Sequence, residues 1–194
     1  SSVVPDLTDE IKKICNKILN INPFIVKHTK IPNLVLDIDN SDQLGADRIC
    51  NTIAASSLYK LPAIVVDMGT ATKYDIINYK GTFIGGVIAP GIELSAMNLF
   101  EKAALLSKTH FKFPKNVIGK NTESNIQSGI MYGSLDSING MIKRIINETK
   151  WDNCSIIITG GFSELIKDKL DNNFIINPNL TLEGLNFIYQ QISL

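Results

Sequence analysis

A mixed α/β sheet with covering helices is the fold class this sequence predicts, and three observations carry it. Apolar segments of strand length alternate along the chain with longer segments of helical period. One pair of candidate strands, residues 73–77 and 82–87, is separated only by Asn78-Tyr79-Lys80-Gly81, which points to an antiparallel hairpin or meander. The apolar fraction is 44 %, with isoleucine in excess of leucine, as suits a buried sheet.

Taken in order, residues 6–20 carry Leu7, Ile11, Ile14, Ile18 and Leu19 at helical spacing, with Asp6 or Thr8 as cap. Phe24-Ile25-Val26 and Leu34-Val35-Leu36 read as short strands, and the polar residues 37–43 as a loop. A helix follows over 45–58, then a compact buried strand over 61–66. After the hairpin, Pro90-Gly91 breaks the chain and a helix runs over about 93–106. Residues 110–120 are irregular. A long helix begins near Thr122 and reaches Glu148, with Ile126, Ile130, Ile138, Met141, Ile142 and Ile145 as its apolar stripe. Gly129, Gly133 and Gly140 each cost this helix about 1 kcal/mol against alanine, and their spacing leaves a smooth face for close approach of another helix. Strands over 155–158 and 174–176 and helices after Gly161 and over 182–192 complete the chain.

With 19 basic and 19 acidic residues the net charge is zero, so no polyanion-binding surface is advertised and no nucleic-acid partner is expected. Cys15, Cys50 and Cys154 stand far apart without a C-x-x-C, and the two histidines, His28 and His110, are assigned no chemistry. A zinc site or disulfide framework is not expected, and a reducing cytoplasm fits. No apolar stretch reaches the ~20 residues of a membrane span.

Three short motifs bear chemistry. Asp67 ends a buried strand, where open α/β sheets place their ligand crevices, and Gly69, Thr70 and Thr72 follow it with bare backbone and hydroxyls suited to a phosphate. The same residues also suit a hairpin turn whose glycine serves shape alone. Ile157-Ile158-Thr159-Gly160-Gly161 leads a strand into a glycine pair before a helix, where a nucleotide can lie against backbone; alone, it suits a tight connection better. Asp47 and Arg48 fall in the first turn of a helix, where the dipole favours an acid by about 0.3–1 kcal/mol, so a solvated structural Asp47 is one reading. In the other, its carboxylate accepts a proton from an attacking alcohol, a role phosphoryl transfer asks little of. Arg48 either clamps a substrate carboxylate or pairs with an acid of the chain. Thr122 reads as an N-cap whose neighbourhood can also present donors to a ligand.

In this order the motifs resemble the type III pantothenate kinase family. Gly45-Ala46-Asp47-Arg48, Asp67-Met68-Gly69-Thr70-Ala71-Thr72 and Gly85-Gly86-Val87-Ile88-Ala89-Pro90-Gly91 carry the likeness. Ile118-Gly119-Lys120-Asn121-Thr122, Gly129-Ile130-Met131-Tyr132-Gly133, Thr159-Gly160-Gly161 and Leu180-Thr181-Leu182-Glu183-Gly184-Leu185 continue it. The resemblance implies an actin-like, ribonuclease-H-type fold with two related lobes and ATP between them. Residues 1–58 would be the remainder of the first lobe and 59–194 the second. It implies transfer of the ATP γ-phosphate, with Mg2+, to the terminal hydroxyl of pantothenate, the first step of coenzyme A synthesis. Asp47 then matches the proton acceptor, and Gly45, Ala46, Arg48 and Thr122 match pantothenate contacts. Gly69, Thr70, Gly160 and Gly161 match the ATP site, and Asp67 the ligand of a monovalent cation, potassium or ammonium. A cytoplasmic homodimer is expected, with Gly129 and Gly133 at a close helix contact.

Three departures accompany the likeness. The family's opening strand and Asp-x-Gly-Asn-Thr phosphate turn fall before the point matching Ser1, so residues 1–194 alone are expected to have negligible activity. Ile38 and Ser41 replace a substrate-contacting tyrosine and a proline, and Lys73 replaces a threonine after the phosphate turn. Two other functions fit these departures: a non-catalytic accessory protein acting through a protein partner, or a kinase for another small hydroxy acid.

Overall fold

The computed structural model describes residues 5–102, 110–170 and 173–192. Its six helices among these residues are α1 (Pro5–Ile14), α2 (Ala46–Leu58), α3 (Ile92–Lys102), α4 (Thr122–Thr149), α5 (Ser163–Ile166) and α6 (Leu180–Ile192). The strands are β1 (Ala63–Met68), β2 (Ala71–Ile77), β3 (Phe83–Pro90), β4 (Ser155–Thr159) and β5 (Phe174–Ile176). They form one five-stranded sheet in the order β3-β2-β1-β4-β5. The first three strands are a meander, because two- and five-residue links leave no room for a crossover. β4 and β5 run parallel, with Ile157 opposite Ile175. All six residues of β1 are buried, as a central strand covered on both faces requires.

Contacts divide the chain into two compact units: residues 1–63, 75–85 and 179–194, and residues 64–74 and 86–178. Both are discontinuous in sequence. The first unit buries Val26, Leu44, Ile49, Cys50, Ile53 and Phe83 together with Ile188 of the closing helix. Ile38 packs against this cluster as a half-buried side chain. In the second unit α3 packs on α4, whose predicted stripe is buried at Ile126, Ile130, Ile138, Ile142 and Ile145 and half-buried at Met141.

Several local expectations change. The first helix stops at Ile14 and widens into a π turn over Cys15–Leu19. Its stripe stays uncovered by the described residues: Leu7 is 50 % and Ile18 72 % exposed. Periodicity predicts the helix but not what lies against it. Residues 24–26 form no strand; Val26 instead drops into the first unit's core. Of residues 34–36 only Leu36 bridges Phe83, with Phe83 N–H donating to the Val35 carbonyl at 3.0 Å. The end of the helix predicted over 93–106 falls partly outside the described residues.

Within the described residues the glycines of α4 stay open. A Cβ added at Gly129, Gly133 or Gly140 would meet nothing within 4 Å. A close helix contact within the chain lies at Gly184 of α6, where a Cβ would collide with the Cys50 carbonyl of α2. Gly184→Ala is therefore expected to lower stability by about 1–3 kcal/mol through overpacking. Gly140→Ala, exposed and unobstructed, should raise it by up to about 1 kcal/mol through helix propensity. Thermal denaturation of the two variants checks the contrast, and shifts of the same sign would refute it.

Candidate active site

Gly45 caps α2 in an extended conformation, and Ala46, Asp47 and Arg48 make its first turn. Asp47 is half-buried, and its Oδ1 accepts from the Arg48 backbone N–H at 2.8 Å, which fixes the carboxylate at the helix start. Arg48 turns away along the sheet: its Nε donates to Asp75 Oδ1 at 2.5 Å, and its guanidinium carbon lies 5.1 Å from the Phe83 ring centroid. The Asp75 side chain is fully buried and that of Arg48 is 14 % exposed. Of the two roles open to Arg48, the structure supplies the pairing with an acid of the chain. Gly45 and Ala46 also wall a cavity of about 700 Å³ shared with His28 and Asp42, whose His28 Nε2 and Asp42 Oδ1 are 3.7 Å apart.

The other predicted site residues all belong to the second unit. Asp67 is the penultimate residue of β1 and is buried, while Thr70 is exposed at the hairpin tip. The turn is tied down at both sides, with Gly69 N–H donating to the Ala71 carbonyl and Gly91 N–H to the Thr70 carbonyl, each at 3.1 Å. The turn after β4 comes to the same place. Phe162 N–H donates to the Met68 carbonyl at 3.2 Å, and Ser163 Oγ to the Gly160 carbonyl at 2.7 Å. Gly160 has φ +91°, and a Cβ there would lie 2.6 Å from Met68 backbone and 2.7 Å from Asp67 Oδ1. Only glycine meets both demands. The structure thus brings Asp67 and Gly69 together with Gly160, two segments that the sequence shows ninety residues apart.

Thr122 is the first residue of α4 rather than its cap. Asn121 takes that place, its side chain accepting from Ser124 N–H at 2.8 Å while Ser124 Oγ accepts from Asn121 N–H at 3.2 Å. An amide oxygen reaches the third helical N–H as well as a hydroxyl does, so the two neighbours compete for the same role. Thr122 is left to line a cavity of about 750 Å³ with Thr72, Tyr74, Asn125, Gly129 and Gly133. Gly129 and Gly133 thus leave room on this wall.

Burial pushes the Tyr74 hydroxyl from 10.0 up to about 12, so the cavity wall carries a neutral phenol across the physiological range. A phenol whose pKa is higher folded than unfolded holds its proton more tightly when folded. Its contribution to stability is complete below pH 10.0 and is lost as pH rises towards about 12. Tyr74→Phe is expected to remove this part of the alkaline loss of stability, as read from denaturation midpoints through that window. An unchanged alkaline profile in Tyr74→Phe would refute it.

Asp75 and Tyr74 are the residues that sequence reasoning missed, and Lys73 was singled out only as a departure. The signal for Asp75 was an acid inside a strand flanked by Tyr74, Ile76 and Ile77, since a carboxylate is buried there only beside a partner.

A sheet with a three-stranded meander on one side and a parallel strand pair on the other belongs to the actin-like, ribonuclease-H-type class of α/β folds. The fold matches the crystal structure of a conserved Baf family protein from Campylobacter jejuni with a TM-score of 0.65 at 22 % identity, over 98 % of this chain and 80 % of that one. The family model for type III pantothenate kinase matches residues 1–144. The type III pantothenate kinase of Agathobacter rectalis is 37 % identical over 98 % of this chain and 73 % of its own length. That of Halalkalibacterium halodurans is 40 % identical over 98 % of this chain and 75 % of its own. The chain belongs to the type III pantothenate kinase family. No helix among the described residues is long and apolar enough to cross a membrane.

Proposed function

We propose that this protein transfers the γ-phosphate of ATP to pantothenate as the opening step of coenzyme A synthesis. The observation that carries the reading is the convergence of Asp67, Gly69 and Gly160 on one turn, in a chain 37–40 % identical to kinases of that name. Bare backbone at two adjacent strand ends suits phosphate oxygens, and phosphoryl transfer draws its rate from such positioning. The Mg2+ carried by ATP supplies charge neutralisation on the phosphates. Asp47 serves as the proton acceptor for the pantothenate hydroxyl, held by the Arg48 backbone N–H. Gly45, Ala46 and Arg48 shape the acceptor loop, with Arg48 itself anchored through Asp75. Thr70 and Gly161 contact the nucleotide, and Thr122 on the wall of the larger cavity contacts pantothenate.

Incubation of the native protein with MgATP and pantothenate, followed by mass detection of phosphopantothenate, tests the reading. Pantothenate analogues lacking the terminal hydroxyl should give no product. Phosphorylation of a different hydroxy acid in preference to pantothenate would replace this substrate, and no transfer to any acceptor would favour an accessory role.

We also propose a homodimer in a cytoplasmic setting. The open glycine face of α4 and the half-exposed Leu94, Met97 and Leu99 of α3 support it, because a second helix can approach closely there. Sedimentation at micromolar concentration should give twice the chain mass, and a monomer would refute it.

A further inference from the structure

Lys73 does not fit a monovalent metal cation at Asp67. Its Nζ lies 2.8 Å from Asp67 Oδ2, and the two side chains are only 18 % and 11 % exposed. Asp67 stands near the end of β1 and Lys73 near the start of β2, so one hairpin delivers the carboxylate, the ammonium and the Gly69–Thr70 turn between them. On its other side the carboxylate is closed in by Gly160, where even a Cβ would come within 2.7 Å of Asp67 Oδ1. A potassium ion on this carboxylate would stand beside a fixed cation in a half-dry site, where like charges repel far more strongly than in water. The ammonium already supplies one positive charge and hydrogen-bond donors at the place such an ion would take.

We propose that the Lys73 ammonium is the cation of this site, built into the chain, so that nucleotide binding here does not depend on potassium or ammonium ions. The inference rests on the nucleotide-turn reading of residues 67–72. An uncompensated Asp67 would repel the polyphosphate, and the ion pair presents a neutral turn to it. Vacating the ammonium should then create the site for a soluble cation that the native protein lacks.

Two measurements on the native protein and on Lys73→Thr test this. MgATP affinity is read by calorimetry in potassium chloride and in tetramethylammonium chloride, whose cation is too large to enter. The native protein should change by less than about threefold between the salts, and a larger weakening without potassium overturns the proposal. Lys73→Thr should lose about tenfold or more in tetramethylammonium and recover in potassium; affinity independent of salt in the variant also overturns it. Thallous ion, a spin-active stand-in for potassium, is titrated by NMR in the absence of nucleotide. Saturable binding is expected in Lys73→Thr and absent from the Asp67→Asn/Lys73→Thr double variant. Saturable binding in the native protein that Asp67→Asn removes, or none in Lys73→Thr, overturns the proposal. Lys73→Met, which keeps the apolar stem, replaces Lys73→Thr if that variant misfolds, and the native salt comparison needs neither. A protein that phosphorylates no acceptor in any salt would sink the kinase reading while the thallous titration still decides this one.

Discussion

Asp47→Asn is expected to lower turnover by about 10²–10⁴-fold, the usual contribution of a positioned acid–base group, while pantothenate and MgATP still bind. The substitution keeps the shape of the side chain, and its amide oxygen can still accept the Arg48 backbone N–H that now reaches Asp47 Oδ1 at 2.8 Å. The start of α2 therefore stays in place, and the change removes basicity rather than geometry. A carboxylate in the first turn of α2 also complements the helix dipole. Its low basicity is tolerable because the transition state of phosphoryl transfer is loose and little proton movement precedes it. Steady-state kinetics with a separate binding measurement decide the matter. A fall confined to kcat supports the assignment. Undiminished turnover excludes Asp47 as the base, and lost binding with kcat intact would make it a substrate contact only.

Arg48→Met is expected to destabilise the protein by about 3–5 kcal/mol, the cost of breaking a buried ion pair from one side. The Asp75 carboxylate is fully buried, with Arg48 Nε at 2.5 Å. Removing the guanidinium leaves that charge in the interior without its cation, and also removes the stacking over Phe83. The double variant Arg48→Met/Asp75→Leu takes out both charges, so it should recover much of the loss, since well-packed apolar pairs often match buried ion pairs. Urea denaturation of both variants reads this directly. If Arg48→Met costs less than about 1 kcal/mol, the pair behaves as a surface contact and the anchoring of the acceptor loop through Asp75 is wrong. Arg48→Lys should restore little, because a point ammonium on a flexible stem does not reproduce the Nε donor geometry.

Much of the fold was legible from pattern alone, and the reasons are local. Helix α2 begins at its glycine and ends at Leu58 because cap, dipole-favoured acid and apolar period all lie within one segment. The β2–β3 hairpin follows from a short polar turn between two alternating runs. β5 over Phe174–Ile176 and the buried stripe of α4 follow in the same way. The family, too, rests on ordered motifs that are each continuous in the chain.

What the sequence could not decide is every feature made by residues that meet only after folding. Arg48 finds Asp75, 27 positions on, only when folding brings the start of α2 to the strand that carries the acid. Gly184 meets the Cys50 backbone of α2, a contact that spacing along one helix cannot announce. The run at residues 24–26 has strand composition, yet among the described residues no strand pairs with it, and a strand exists only through a partner's backbone. Lys73 looked like a simple departure from a threonine until the hairpin placed its ammonium on Asp67. Sequence determines the elements and the chemical groups each one carries, because propensity, capping and periodicity act over a few residues. Tertiary structure alone decides which charge neutralises which, because burial and Coulomb attraction depend on distances through space.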